Sequence, residues 1–225
     1  MKPFTQLAEA RTPDGAVLTL HAHDTHFYVR VNRQPLMGTN ASESERVLAQ
    51  LACAPLGGRQ AARVLIGGLG LGFTLRRVLE LLPKDAHVDV AELLPEIVAW
   101  NREFLRGVNG TLLEDTRVQV LVEDVFKVLA RAPASHYDAI MLDVDNGPVA
   151  MVQDGNERLY QTQGFGVITQ ALKPGGVVTF WSASQDRGFE KRLSKAGFSV
   201  EVVAAKAYPQ AKRSTHTIFV ARRKG

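Results

Sequence analysis

The chain has 225 residues, of which 45% are hydrophobic and 22% charged, so it is long enough to bury one sizeable core. The formal net charge of +4 is modest, and the basic residues near the C-terminus are expected to form a solvated face, so a nucleic-acid partner is unlikely. A lone cysteine, Cys53, excludes an internal disulfide and suits a reducing compartment. Without an apolar leader or a run of about 18 apolar residues, the sequence predicts a cytoplasmic protein that does not contact a membrane.

The first 57 residues are predicted to form a small β element followed by a linking helix. Residues 16–33 alternate apolar and polar side chains around an "HDT" break, which is typical of a β hairpin. From Ser42, the segment "SESERVLAQLAC" combines a candidate N-cap, acids in its first turn and an apolar face, and "APLGG" ends it. We therefore place a domain boundary after residue 57.

Residues 58–225 are predicted to form one α/β domain. Five short β-rich runs alternate with helical patterns: "RVLIGG", "HVDVAE", "RVQVLVED", "YDAIMLD" and "GGVVTFWSA". This alternation predicts a doubly wound, mostly parallel sheet covered by helices on both faces. The last two strands, "FSVEVVAA" and "THTIFVARR", have no helix between them, so they are expected to pair antiparallel at one edge of a seven-stranded, Rossmann-like sheet.

A glycine loop follows the first strand of this domain. "VLIGGLGLGFTL" places Gly67, Gly68, Gly70 and Gly72 where backbone can approach a ligand closely. Phe73 stands at the third glycine position of a dinucleotide fingerprint, which disfavours hydride transfer.

Acids end the two strands that come next in the chain. Glu92 lies about 20 residues after the loop, where an acid can bind both ribose hydroxyls. Asp124, after the third strand, could accept from an adenine amino group, although an acid at a strand end also commonly caps the next helix. The loop and these two acids together predict a nucleoside site at the carboxyl edge of the sheet.

The stretch "YDAIMLDVDNGP" ends the fourth strand with two acids, Asp143 and Asp145. A carboxylate beside the nucleoside site could bind an ammonium group and stabilise positive charge that grows on nitrogen during its attack. We rank Asp143 first for this catalytic role and Asp145 second, for positioning the substrate. The alternative is ordinary turn chemistry, since Asp, Asn, Gly and Pro are the usual residues of tight turns.

Over residues 63–183 the sequence resembles class I S-adenosylmethionine-dependent transferases and, among them, the spermidine synthase group. The segments that carry this resemblance are the glycine loop, "VAELLPEIVAWNREFL", "RVQVLVEDVFKVL", "YDAIMLDVDNGP" and "LYQTQGFGVITQALKPGGVV". The resemblance implies an S-adenosyl donor at the glycine loop, Glu92 and Asp124, and aminopropyl transfer from decarboxylated S-adenosylmethionine to a small amine. It also implies polyamine biosynthesis and a possible homodimer.

The loop "GGLGLG" departs from that group, whose loop carries an acid that contacts the donor's propylamine. Its form is nearer to ordinary methyltransferases, so the alternative is a methyltransferase that uses S-adenosylmethionine on a small molecule or, less readily, on RNA. A non-catalytic nucleoside-binding scaffold is a third hypothesis. We expect no metal site, because "HAHDTH" places His21 and His23 on one face of the hairpin and His26 beyond its turn.

Overall fold

The computed structural model describes residues 3–144 and 154–225, so Asp145 and Pro148 of the sequence analysis lie outside the described residues. The described residues form eleven strands: β1 (Thr5–Arg11), β2 (Val17–His23), β3 (His26–Val31), β4 (Gln34–Gly38), β5 (Arg63–Gly67), β6 (His87–Glu92), β7 (Val118–Val122), β8 (Tyr137–Leu142), β9 (Leu172–Ser182), β10 (Phe198–Ala205) and β11 (His216–Arg223). Within the same two described ranges there are seven α-helices: α1 (Glu43–Cys53), α2 (Phe73–Leu81), α3 (Pro95–Glu103), α4 (Arg106–Asn109), α5 (Val125–Arg131), α6 (Thr162–Ala171) and α7 (Arg187–Lys195).

The N-terminal strands form a four-stranded antiparallel sheet in the order β1-β2-β3-β4. The predicted hairpin is its central pair, β2 and β3, in which His23 lies opposite His26 across a turn at Asp24. One further strand flanks the hairpin on each side. The sequence did not indicate them, because "TQLAEAR" is rich in residues that are poor strand formers and "QPLMG" is short and contains proline.

The large sheet has seven strands in the order β10-β11-β9-β8-β5-β6-β7, which confirms the predicted fold class. β5, β6, β7, β8 and β9 pair in parallel, whereas β11 pairs antiparallel with both β9 and β10. β10 is therefore the edge strand. This agrees with the prediction that β10 and β11, which no helix separates, pair antiparallel at one edge of the sheet. From β5 the chain moves outward through β6 to β7 and then returns to β8 on the other side of β5. This reversal opens a crevice between the carboxyl ends of β5 and β8.

Helices cover both faces of the large sheet and enclose two apolar cores. One core joins the N-terminal sheet, through Leu20 and Val29, to α1 and to the face of the large sheet that carries Val64 and Ile66. The other core packs α5, α6 and α7 on the opposite face. α1 lies against α2 and also contacts β8, β9 and β11. The division of the chain after residue 57 stays a prediction.

The helix boundaries follow local signals. Pro95 opens α3 at a position where its missing N–H needs no partner, and Asp124 and Asp186 cap α5 and α7 with their carboxylates. In the described part of the chain no helix is both long and apolar enough to cross a bilayer.

Candidate active site

The glycine loop lies where the carboxyl ends of β5 and β8 meet. Gly68, Gly70 and Gly72 have φ angles of +90°, +50° and +85°, in the left-handed region that favours glycine. A Cβ on Gly68 would stand 2.3 Å from the backbone carbonyl oxygen of Asp143. A Cβ on Gly67 would stand 2.8 Å from the side chain of Val125. The glycines thus let the loop pass close to the end of β8.

Glu92 fixes this loop to the end of β6. Its two carboxylate oxygens each accept a hydrogen bond, from the backbone N–H groups of Leu69 and Leu94, both at 2.9 Å. Burial raises the pKa of Glu92, and hydrogen bonds from these and neighbouring backbone N–H groups oppose that shift. Glu92 therefore holds the loop and at the same time lines the first cavity.

Asp124 has two partners within the protein. Its Oδ1 accepts from the backbone N–H of Phe126 at 2.8 Å, which caps α5. Its Oδ2 pairs with Arg158, whose guanidinium lies 4.3 Å above the centre of the Phe126 ring. The capping role considered for Asp124 is therefore present, and an adenine contact would have to share this carboxylate with Arg158. Sequence reasoning missed Arg158, because only the fold brings residues 124 and 158 together.

A first cavity of about 670 Å³, partly open to solvent, extends from the glycine loop along the ends of β6 and β7. Gly68, Gly70, Glu92 and Asp124 line it, together with the apolar residues Leu93, Leu94, Ile97 and Val125. Polar groups at one end and apolar walls beside them suit a nucleoside, whose sugar forms hydrogen bonds and whose base is flat and largely apolar.

A second cavity of about 930 Å³, also partly open to solvent, adjoins the first. The two cavities share Leu36, Met37, Gly70 and Asp143 as lining residues. The second is lined in addition by Glu45, Phe73, Trp181 and His216. Trp181 thus forms part of the wall of this cavity, whereas Phe180, the residue before it, is fully buried in the core.

Asp143 lies at the junction of these cavities, directly after β8. Its Oδ2 accepts a hydrogen bond of 2.7 Å from the hydroxyl of Thr74, near the start of α2. Burial raises the pKa of Asp143 to about 6, and the Thr74 hydrogen bond opposes the shift. A carboxylate in this position can reach a ligand in each cavity.

Glu45 is the acid that sequence reasoning missed. It extends from the first turn of α1 into the second cavity, and the Ser44 hydroxyl donates to its Oε2 at 2.6 Å. Burial raises its pKa to about 7, and the negative charge of Asp143 adds to the shift. In the sequence, Glu45 is one of the acids in the first turn of a predicted helix, and such acids are usually solvated. No sequence pattern indicated that α1 packs beside β8.

Fold and site together define a Rossmann-like α/β protein with one cavity at the carboxyl ends of its parallel strands and a second, acidic cavity next to it. Residues 47–215 match the model of the spermine/spermidine synthase domain. The chain therefore belongs to the spermine/spermidine synthase family.

Solved structures of similar fold agree with this assignment. The chain superposes on a spermidine synthase in complex with the transition state analogue AdoDATO with a TM-score of 0.76, at 18% identity, covering 97% of this chain and 73% of the other. For the spermidine synthase of Thermotoga maritima the TM-score is 0.71, at 16% identity, covering 97% and 72%. At these identities the likeness concerns the fold.

Curated relatives fall into two kinds of transferase. Putrescine N-methyltransferase 2 of Nicotiana attenuata is 34% identical over 116 residues, which are 52% of this chain and 29% of the relative. A polyamine aminopropyltransferase of Mycobacterium tuberculosis is 30% identical over 126 residues, which are 55% of this chain and 23% of the relative. The matched regions thus span less than a third of these relatives.

Proposed function

We propose that this protein is a group transferase that moves an aminopropyl group from decarboxylated S-adenosylmethionine to a small amine. The observation that carries the proposal is the place of Asp143, on the wall shared by a nucleoside-shaped cavity and an acidic cavity. Family membership and the named aminopropyltransferase relative support it.

The donor fits the first cavity by the following contacts. Gly68 and Gly70 line this cavity, so a nucleoside and its sulfonium could lie against the backbone of the loop there. Gly67 and Gly72 face protein side chains instead, and a contact of either with the donor stays a prediction. Glu92 would accept from the ribose hydroxyls and Asp124 from the adenine amino group. The bound donor supplies a carbon that is activated by its positively charged sulfur.

Asp143 would act on the amine. A primary amine with a pKa of about 10.4 is protonated at pH 7, and freeing its lone pair costs roughly 4 to 5 kcal/mol. A carboxylate binds the ammonium form and also stabilises the positive charge that develops on nitrogen as sulfur loses its own. The apolar wall of Phe73 and Trp181 would exclude water from the reacting groups.

Methyl transfer from S-adenosylmethionine to a small amine is the second candidate. The glycine loop favours it, because Leu69, Gly70 and Leu71 leave no acid in the loop to bind a propylamine. Two of the methyltransferase relatives bear the name putrescine N-methyltransferase. Both candidates use the same cavities and the same role for Asp143. Homodimer formation and residence in the cytoplasm stay predictions.

Calorimetric titration with each donor separates the candidates. We expect the protein to bind decarboxylated S-adenosylmethionine more tightly than S-adenosylmethionine. We expect Glu92→Gln to weaken binding of both by about tenfold or more, because hydrogen bonds to a charged group are lost. Asp89→Asn is the matched control on the same strand, since Asp89 accepts from the Tyr137 hydroxyl away from both cavities. Tighter binding of S-adenosylmethionine would favour methyl transfer over aminopropyl transfer. If the protein bound neither donor, both candidate functions would be contradicted.

A further inference from the structure

Two acids line the second cavity. Asp143 enters it from the end of β8 and Glu45 from the first turn of α1. Among the described residues that line it, none is Lys or Arg. His216 also lines it, and burial lowers the pKa of its ring, so at neutral pH it does not supply a balancing positive charge. The cavity therefore has the charge that suits a cation.

The rest of the lining is mostly apolar. Leu36, Met37, Phe73 and Trp181 form much of the wall. The indole Nε1 of Trp181 is shielded from solvent and has no hydrogen-bond acceptor among the described residues. Acids in apolar surroundings cost free energy when they ionise without a partner, so a ligand that carries positive charge would stabilise them.

The packing of α1 holds Glu45 in this position. The helix buries Leu48, Ala49 and Ala52 and lies against α2, β8, β9 and β11. Glu43, two residues earlier, pairs instead with Arg46 and does not line the cavity. Glu45 also precedes the segment matched by the family model, which begins at residue 47. Membership of the family therefore does not by itself assign a role to Glu45.

We propose that Glu45 is a second acidic residue of the acceptor cavity, which binds the ammonium group of the incoming amine together with Asp143 and takes the proton that this group must lose. The inference rests on the proposed function. In the step, one N–H bond of the ammonium breaks and its proton passes to a carboxylate oxygen of Glu45. The freed lone pair then forms the bond to the donor carbon while the carbon–sulfur bond electrons return to sulfur. Glu45 afterwards releases the proton to solvent.

The ionisation of the two acids agrees with this role. The pKa of Glu45 is raised to about 7, by burial and then by the charge of Asp143, and a general base works best when its pKa lies near the working pH. The other charged group that raises this pKa is Glu43, on the same helix. Two acids that repel each other keep one proton between them at a pH where isolated acids have lost theirs.

Titration of the carboxyl groups tests the pair without any ligand. Carboxyl carbon signals of the full chain labelled with 13C on Asp and Glu would be followed from pH 4 to 9, with Glu45→Gln and Asp143→Asn to assign them. We expect Asp143→Asn to lower the midpoint of Glu45 by about half a pH unit or more, because the charge of Asp143 raises the pKa of Glu45. Glu43→Gln, the matched control on the same helix, should lower the Glu45 midpoint less, because Glu43 contributes less to the raised pKa. An unchanged Glu45 midpoint in Asp143→Asn would overturn the pair.

Turnover with decarboxylated S-adenosylmethionine and putrescine tests the proton transfer. We expect kcat to rise with pH through about 7, and Glu45→Gln to lower kcat by about 10²-fold and remove this rise. Glu45→Asp should restore part of the lost kcat and part of its rise with pH. Glu43→Gln should leave the plateau value of kcat unchanged and move the rise only slightly to lower pH, because Glu43 makes the smallest contribution to the raised pKa of Glu45. Full activity with an unaltered pH profile in Glu45→Gln would overturn the role. Absence of activity in every form would count against the proposed function, while the titration still decides whether the acids interact.

Discussion

An aspartate lies near each end of strand β8, and the two aspartates differ in their hydrogen-bond partners, in the charges beside them and in their position relative to the cavities. Asp138, near the amino end, is buried at 2% exposure, and its Oδ2 accepts from Lys173 and from the backbone N–H of Arg63, both at 2.8 Å. Arg59 lies 3.0 Å from its Oδ1. Asp143, just past the carboxyl end, lines two cavities, accepts from the hydroxyl of Thr74 and lies near a second acid, Glu45.

The difference shows that two acids near opposite ends of one strand can have different roles: Asp138 is a structural acid, and Asp143 is a candidate functional acid. Asp138 is surrounded by hydrogen-bond donors and by the positive charges of Arg59 and Lys173, which compensate for the loss of contact with water. Asp143 lies where the fold leaves a crevice, and its charge lacks a basic partner among the described residues that line the second cavity. Incomplete compensation of a charge within a cavity is typical of sites that bind or react.

The largest expected effect is the loss of turnover in Asp143→Asn. The amide keeps the size of the side chain but cannot stabilise positive charge on the attacking nitrogen, so kcat should fall by about 10³-fold, with donor binding retained. Asp138→Asn should keep the kcat of the wild-type protein per folded molecule. Steady-state kinetics combined with donor calorimetry would check both, and equal losses of kcat in the two variants would remove the distinction.

The next effect is on stability. Asp138→Asn leaves Lys173 and Arg59 without their buried partner, so we expect the free energy of unfolding to fall by about 2 to 3 kcal/mol. This value lies at the low end for a broken buried ion pair, because the Arg59 and Lys173 side chains are 55% and 29% exposed. Urea unfolding at pH 7.5 would measure it. A destabilisation of Asp143→Asn as large as that of Asp138→Asn would contradict the comparison.

The smallest effect is a pH-dependent gain in stability from Glu45→Gln. The pKa of Glu45 is about 7 in the folded protein against a usual 4.5, so the folded form holds the proton more tightly between these values. The free energy of unfolding therefore falls as pH rises from about 4.5 to 7, and Glu45→Gln removes this loss. The full shift corresponds to roughly 3 kcal/mol, and solvent in the partly open cavity screens the charge, so we expect the variant to gain about 1 to 2 kcal/mol over the wild-type protein between pH 4.5 and pH 8. Urea unfolding at both pH values would measure it, and a pH-independent difference would contradict the assignment.

Several features of the site were readable before the structure was known. Gly68 and Glu92 were predicted from their spacing around two strands, and the structure places both in the wall of one cavity. Asp143 was predicted as the end of a buried strand, and it lies directly after β8. The cap formed by Asp124 was recognised as an alternative, and its pair with Arg158 was not. Asp145 lies outside the described residues, and its role stays a prediction.

The sequence by itself determined the alternation of strands and helices, the glycine loop and the acids that end successive parallel strands, because these depend on local periodicity and on residues close in the chain. Only the tertiary structure decided that Glu45 stands beside Asp143, that Arg158 reaches Asp124 and that two further strands flank the N-terminal hairpin. The first two features depend on the packing of elements that are distant in sequence, whereas the flanking strands lie next to the hairpin in the chain and are stabilised by pairing with it despite their weak strand propensity. Burial and the nearness of like charge, which give the two acids their raised pKa values, exist only once the chain has folded.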